Sequence, residues 1–167
     1  MKLFHCPGTC STGIHLLLHE IGAPFDTEIV NLREGAQHGA RFQAISTKGK
    51  VPTLVRDDGS VLTEFQTIAM WLAKAHPQSK LLPDTPDGET RVQEALDYMV
   101  GTVHMRGYTF ILATGKFLSD PAGQAALQDH GRAIVMGGFA RLAAQSASDR
   151  DRPALSALLA GPPCDCP

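Results

Sequence analysis

The chain has 167 residues, 43% of them hydrophobic and 19% charged, with a formal net charge of -2. This is the composition of a globular protein with enough apolar residues for one core or two small ones. The charge argues against a nucleic-acid-binding protein, which needs a basic surface. No apolar run approaches the roughly 20 residues of a membrane span, and the N-terminus reaches a polar turn too early for a signal peptide. We therefore expect a cytoplasmic protein with free cysteines.

The first part of the sequence alternates short apolar strands with helices. Apolar spacing and turn residues predict a strand over 2–5, then a helix that begins at residues 9–11 and ends at Gly22, then a strand over 26–32 centred on Ile29 and Val30. A short irregular helix over 40–45 follows. Two strands over 53–55 and 60–62 then lead into a helix that begins at residues 63–64 and ends at residue 75. The crossover implies that the first two strands are parallel, and the Asp-Asp-Gly turn implies an antiparallel hairpin. This order predicts a thioredoxin-like α/β fold.

The stretch over 48–75, KGKVPTLVRDDGSVLTEFQTIAMWLAKA, offers two features that suit a ligand. One is the main chain of Val51, which a cis Pro52 would leave open. The other is the start of the last helix, where N–H groups and the helix dipole attract a carboxylate. Glu64 is a candidate acceptor for a ligand ammonium group and the Phe65 N–H a candidate donor, although an acidic first-turn residue also serves the helix dipole by itself. The expected ligand is a small, anionic, peptide-like molecule.

The second part of the sequence has a purely helical pattern. Residues 76–88, HPQSKLLPDTPDG, indicate a linker because they are rich in proline. One helix is predicted over 89–115 and another from Asp120 onward. Their expected apolar positions are Val92, Leu96, Met99, Val103 and Phe110 in the first helix, and Ala126, Leu127, Ile134 and Leu142 in the second. Gly137 and Gly138 should weaken the second helix by about 1 kcal/mol each relative to alanine.

These patterns predict a thioredoxin-like domain over 1–76, a linker over 77–88 and a short all-helical domain over 89–167. Beyond Ser146 the chain is polar and ends in GPPCDCP, so a disordered tail is expected, with one or two helical turns around 155–159.

Cys10 is the first candidate for chemistry, because it lies at the start of a helix directly after a strand and a Pro-Gly turn. A helix dipole stabilises a thiolate there and can lower the pKa of the thiol. The alternative is a small buried hydrophobic residue. Ser11 could activate the thiol through its hydroxyl, or only cap the helix. Cys6 is interpreted as structural, because its spacing from Cys10 is not that of a C-x-x-C redox motif.

Other polar residues are weaker candidates. His104 lies beside the apolar face of the first helix of the second part, where a lone histidine is more often packed than catalytic. Asp97, on the same helix, has a solvated position as its alternative. Cys164 and Cys166 could bind a metal, but a disordered tail is the better interpretation, and no metal site is predicted.

Taken together, three stretches resemble one family. They are MKLFHCPGTCS, KGKVPTLVRDDGSVLTE and LLPDTPDGETRVQEALDYMVGTVH. They are similar, in this order, to three parts of a bacterial glutathione transferase, most closely the beta class: its opening, its glutathione-binding stretch, and the linker with the first helix of its all-helical domain. The resemblance implies glutathione as co-substrate, no metal, and a homodimer. It also implies a role for each matching residue: Cys10 at the glutathione sulfur, Pro52 as the cis-proline, Glu64 as the acidic residue of the site, His104 as the active-site histidine, and Asp97 reaching the neighbouring subunit's glutathione.

The chain departs from the family pattern in three places. His5 stands where the beta class has a tyrosine near the site, and it is retained as a candidate glutathione contact. Phe65 stands where the family has a serine whose hydroxyl binds the γ-glutamyl carboxylate, so that only the main-chain N–H remains. After Ser146 there is no Ser/Thr-x-x-Asp capping box followed by a long apolar helix. A missing helix would leave apolar surface for dimerisation or a rearranged helix to cover.

The function implied by the resemblance is that of an enzyme of detoxification. It would conjugate glutathione, bound by His5, Val51, Pro52, Glu64 and Phe65, to a hydrophobic electrophile, or perform glutathione-dependent thiol-disulfide exchange through Cys10. The alternative is a non-catalytic protein of the same fold with weak or no glutathione binding.

Overall fold

The computed structural model describes residues 1–148. The chain divides into two compact units, Met1–Leu82 and a second unit that begins at Pro83, and the division falls inside the stretch predicted to be a linker. The predicted helical turns around 155–159, the tail and its two cysteines lie outside the described residues.

The first unit contains one four-stranded sheet with helices. Its elements are β1 (Lys2–His5), α1 (Ser11–Ile21), β2 (Asp26–Ile29), a 3₁₀ turn (Ala36–His38), α2 (Ala40–Gln43), β3 (Thr53–Val55), β4 (Val61–Thr63), α3 (Phe65–Ala75) and a 3₁₀ turn (Pro77–Ser79). The strand order is β2-β1-β3-β4. β1 runs parallel to β2 and antiparallel to β3, which pairs antiparallel with β4. This confirms the predicted thioredoxin-like fold.

The core of the first unit lies between the sheet and its two long helices. Leu3 and Leu54 are directly opposite each other in the β1–β3 pair, and both are fully buried. They share this core with fully buried residues of the helices: Ile14, Leu18, Ile68 and Leu72. Replacing one of these leucines by alanine should cost about 2–5 kcal/mol.

The second strand is shorter than predicted. It ends at Ile29, and the N–H of Val30 donates to the carbonyl of His5 at 2.8 Å. Val30 is buried, but Ile29 is 59% exposed, because neighbouring residues of extended chain point to opposite sides. The prediction that both belong to the apolar centre of the strand is therefore wrong for Ile29.

The second unit is helical, as predicted. Its elements are α4 (Pro86–Tyr98), a π-helix (Met99–Tyr108), α5 (Thr109–Leu112), a 3₁₀ turn (Thr114–Lys116) and α6 (Pro121–Ser148). α4 begins earlier than predicted, because Pro86 occupies a first-turn position and the Thr85 hydroxyl accepts a hydrogen bond from the Gly88 N–H at 3.1 Å. No helix within residues 1–148 is both long and apolar enough to cross a bilayer.

Glycines let α6 approach the π-helix closely. A Cβ atom on Gly138 would lie 2.4 Å from Cγ2 of Val103, and one on Gly107 would lie 2.6 Å from Cγ2 of Val135. Within residues 121–145 of α6, the buried positions are Gly131, Val135, Gly138 and Leu142, so only Leu142 of the four predicted apolar positions is buried. The apolar pattern missed this face because half of it is glycine.

Candidate active site

Cys10 is held next to the strand that begins after Pro52. It is the residue immediately before α1, and its thiol donates to the carbonyl oxygen of Val51 with an Sγ–O distance of 3.5 Å. The Val51–Pro52 peptide bond is cis, as the sequence suggested. The fold thus brings two of the predicted site residues, Cys10 and Val51, into direct contact.

The pKa of the Cys10 thiol differs from the prediction. Burial raises this pKa above its ordinary value, and the Glu64 carboxylate acts in the same direction. The N–H groups of Cys10 and Ser11 and the Lys50 ammonium act in the opposite direction without outweighing burial. The start of the helix does act to lower this pKa, but the prediction of a net lowering is wrong, because the cost of removing the thiolate from water is larger than the stabilisation that these groups supply. At neutral pH Cys10 is a neutral thiol and a hydrogen-bond donor.

The start of α3 is a second feature of the site. Glu64, the residue before the helix, has φ 71° and ψ 125°, a left-handed conformation that costs a non-glycine residue about 1–3 kcal/mol. Its carboxylate pairs with the Lys48 ammonium at 2.7 Å, and both side chains are more than half exposed. The first intrahelical hydrogen bond runs from the Ile68 N–H to the Glu64 carbonyl at 3.0 Å. The Phe65 N–H lies before this first donor, so it has no acceptor within the helix.

The Phe65 side chain packs on α1. A Cβ atom on Gly13 would lie 2.7 Å from Cε2 of the Phe65 ring, so the ring fits against the first turn of α1 only because Gly13 has no side chain. At the position where the resemblance implies a serine hydroxyl, the structure has an aromatic contact with α1. The Phe65 main-chain N–H remains the group that this residue can offer to a carboxylate.

A network of side chains holds the loop between β1 and α1. The Ser11 hydroxyl is fully buried and lies 2.7 Å from Nδ1 of His5 and 2.8 Å from the Thr9 hydroxyl. It also accepts from the Cys6 N–H at 3.1 Å, and the Thr9 hydroxyl donates to the Cys6 carbonyl at 2.8 Å. The sequence suggests that Ser11 is a thiol activator or a simple cap. Its hydrogen bonds instead tie together the loop that carries Cys10.

His5 is buried beneath this loop, with only 6% of its surface exposed. Burial, and secondarily the charge of His15, lower the pKa of His5. The two imidazole rings are stacked, with centroids 5.1 Å apart. His5 is therefore neutral at neutral pH. The sequence signal for this arrangement is the S-T-G-I-H run, which places Ser11 and His15 one helical turn apart on α1.

The remaining candidates, Asp97 and His104, belong to the second unit. Asp97 is exposed near the end of α4, and His104 is half-buried in the π-helix. Burial lowers the pKa of His104, so its ring is neutral at neutral pH and able to accept a proton. A π-helix often marks a functional site. The roles of these two residues stay predictions.

The sequence interpretation missed two lysines, Lys48 and Lys50. Lys48 forms the ion pair with Glu64, and Lys50 places a positive charge close enough to affect the Cys10 thiol. Both precede the Val-Pro step in the run K-G-K, which was the available signal. Within residues 1–148, no group of three or more His, Cys, Asp or Glu side chains is placed to hold a metal ion.

Comparison with known proteins shows which family this arrangement resembles. The family model for the glutathione S-transferase N-terminal domain matches residues 7–75. Over 111 residues the chain is 37% identical to glutathione S-transferase GstA of Escherichia coli O157:H7, and the alignment covers 65% of this chain and 55% of the relative. Over these residues the chain is similar to glutathione S-transferases. It spans about half the length of the curated family members it matches.

Solved structures of the family share the fold. The bacterial beta-class glutathione S-transferase of Sphingomonas chungbukensis is 25% identical, with a TM-score of 0.70, and the match covers 95% of this chain and 78% of that one. A sphingomonad glutathione S-transferase complexed with glutathione is 29% identical, with a TM-score of 0.65, and the match covers 88% and 70% of the two chains. These matches agree with the resemblance to bacterial glutathione transferases.

Proposed function

We propose that this protein is a glutathione transferase that conjugates glutathione to a hydrophobic electrophile. The observation that carries the proposal is the 3.5 Å contact between the Cys10 thiol and the Val51 carbonyl, in a unit whose sequence matches the family's N-terminal domain. In the proposal, glutathione lies along the Val51–Pro52 main chain, its γ-glutamyl ammonium group pairs with Glu64, and its γ-glutamyl carboxylate accepts from the Phe65 N–H.

The chemical role of Cys10 follows from its protonation state. A neutral thiol is able to donate a hydrogen bond, so Cys10 stabilises the glutathione thiolate by turning from the Val51 carbonyl to the ligand sulfur. The glutathione thiol loses its proton, and its sulfur forms a bond to the electrophilic carbon while the leaving group departs with its electron pair. His104, neutral at neutral pH, is the proposed proton acceptor.

Thiol-disulfide exchange through Cys10 is the less favoured activity. Exchange needs a cysteine thiolate as the attacking group. Burial raises the pKa of Cys10 and keeps it protonated. Conjugation uses the protonated form of Cys10 and is therefore the better match.

A non-catalytic protein of the same fold is the second candidate, and two observations favour it. Lys48 already pairs with the Glu64 carboxylate that the ligand ammonium group needs. The ring of Phe65 also packs on Gly13 where a family serine would offer a hydroxyl. Both features predict weaker glutathione binding than in a family member with the serine.

The proposal extends to the setting of the protein. We expect a cytoplasmic homodimer that acts in detoxification. Cys6 and Cys10 are free thiols, which suits a reducing compartment. Apolar side chains such as Leu112 and Met136, each 68% exposed, supply surface for a subunit contact. The exposed Asp97 is proposed to reach the glutathione of the other subunit.

Thermal unfolding with and without glutathione tests binding. A ligand at 100 times its dissociation constant adds about 2.7 kcal/mol to the free energy of unfolding. We expect the unfolding midpoint to rise with glutathione concentration, and turnover of a chlorinated nitroaromatic compound to require glutathione. No change of the midpoint at saturating glutathione would refute the transferase proposal. A raised midpoint with no turnover of any electrophile tested would favour the non-catalytic candidate.

A further inference from the structure

His5 makes a contact that the proposed function does not use. Its Nδ1 atom lies 2.7 Å from the Ser11 hydroxyl, the shortest of that hydroxyl's four hydrogen-bond distances. Both residues are buried, with 6% and 0% of their surface exposed. With its Nδ1 atom taken up by Ser11, His5 offers little to a ligand directly.

The hydrogen bonds around Ser11 bear on the loop that ends at Cys10. The Cys6 N–H must donate to the Ser11 oxygen, and the Cys6 carbonyl accepts from the Thr9 hydroxyl, so Cys6 at the start of the loop is tied to hydroxyls near the end of the loop. The Ser11 hydroxyl has one hydrogen to give. It donates to an unprotonated His5 Nδ1. Where Nδ1 carries the proton, the hydroxyl accepts from it and can give its own hydrogen to the Cys6 carbonyl at 3.1 Å.

The imidazole of His5 is itself held by neighbouring rings. It stacks on His15 with an angle of 4° between the planes, and His15 meets His19 edge-on at 4.7 Å between centroids. Phe25 contacts both His15 and His19. These rings leave the His5 ring little freedom to turn away from Ser11.

We propose that His5 is a positioning residue for Cys10, which acts by hydrogen-bonding the Ser11 hydroxyl and so holding the 6–10 loop with the Cys10 thiol against the Val51 carbonyl. This inference deepens the proposed function and rests on it. It replaces the expectation that His5 contacts glutathione. Loss of the hydrogen bond should loosen the loop, expose the thiol to water and weaken its contact with Val51.

Alkylation of Cys10 by iodoacetamide, followed by mass spectrometry of the Cys10 peptide across pH, tests this without glutathione. Burial raises the pKa of Cys10, so a loosened loop lowers it toward the ordinary value and speeds alkylation at neutral pH. We expect His5→Phe and Ser11→Ala each to speed it by roughly fivefold, the factor for one lost hydrogen bond. The double variant should be no faster than either single variant.

Two further variants separate positioning from simple loss of packing. His5→Asn places an amide atom where Nδ1 was, so it should restore wild-type alkylation. His130→Phe makes the same kind of change in an exposed histidine of α6 that is not among the rings around His5, and should leave the profile unchanged. Glutathione turnover should fall in His5→Phe and recover in His5→Asn.

Several results would overturn the inference: wild-type alkylation in His5→Phe, additive effects in the double variant, or the same acceleration in His130→Phe. If His5→Phe fails to fold, the ¹⁵N chemical shifts of His5 in the wild-type protein decide the matter. A single fixed Nδ1 state that is lost in Ser11→Ala supports the inference, and an averaged ring in the wild type contradicts it. Because these readouts need no ligand, they stand or fall separately from glutathione binding.

Discussion

The two helix starts of the first unit, those of α1 and α3, are built in opposite ways. At α1, the Ser11 N–H donates to the Thr9 hydroxyl at 3.3 Å, and the Thr12 N–H donates to the Thr9 carbonyl at 3.0 Å. At α3, the first intrahelical bond starts from Ile68, and the residue before the helix is the strained Glu64. A helix start whose donors are matched by its own loop can hold a side chain in place. A helix start with donors left over suits an anionic ligand.

The contact that joins these two helix starts gives the largest expected effect. In the wild type, Gly13→Ala places a methyl group against the Phe65 ring, and such overpacking costs about 1–3 kcal/mol. In a Phe65→Ser background the ring is gone, and the same change should stabilise α1 by about 1 kcal/mol, since alanine is the better helix former. Urea unfolding of the four proteins measures this change of sign. Destabilisation of equal size in both backgrounds would show that Phe65 does not occupy this space.

Restoring a hydroxyl at the start of α3 should strengthen ligand binding. Phe65→Ser adds a donor beside the proposed carboxylate position, and a hydrogen bond to a charged group is worth about 1.5 kcal/mol or more, or at least tenfold in affinity. Calorimetric titration with glutathione measures the gain. Phe65→Ala is the matched control, because it removes the ring without adding the hydroxyl. Equal affinities of the serine and alanine variants would mean that no carboxylate binds at this position.

The histidines His5 and His15 should make the free energy of unfolding sensitive to acid. Burial lowers the pKa of both His5 and His15 in the folded protein, so the unfolded chain takes up protons first as the pH falls. The free energy of unfolding should therefore fall as the pH drops below about 6.5, the ordinary histidine value. Urea unfolding between pH 7.5 and 5 measures the slope. His5→Asn should flatten it, and a stability that rises toward pH 5 would contradict the burial of these rings.

The smallest effect on stability is expected for the ion pair between Lys48 and Glu64, the residue before α3. Lys48 and Glu64 are 52% and 59% exposed, and an exposed pair contributes about 0–1 kcal/mol to stability. Lys48→Met should therefore leave the unfolding midpoint almost unchanged. It should also leave glutathione binding equal or slightly stronger, since it frees the Glu64 carboxylate. Weaker binding in Lys48→Met would indicate that the lysine itself contacts the ligand.

Sequence patterns predicted the elements of the first unit well and its site only in part. The apolar spacing of α1 and the Asp-Asp-Gly turn specify local structure, and the structure has both features as predicted. The pKa of Cys10 depends on burial by distant segments, which no local pattern contains. The packing of Phe65 on Gly13 joins two helices far apart in the chain, and appeared in the sequence only as a missing serine.

The direct test of the central claim is calorimetric titration of glutathione into the wild type, Glu64→Gln and Cys10→Ala. If the start of α3 binds the ligand and Cys10 acts in the chemistry, Glu64→Gln should weaken binding by about tenfold or more, since a hydrogen bond between charged groups is lost. Cys10→Ala should bind within about threefold of the wild type and lose turnover. Binding that survives Glu64→Gln unchanged, or that disappears in Cys10→Ala, would contradict the assignment of ligand binding to the start of α3 and of the chemistry to the start of α1.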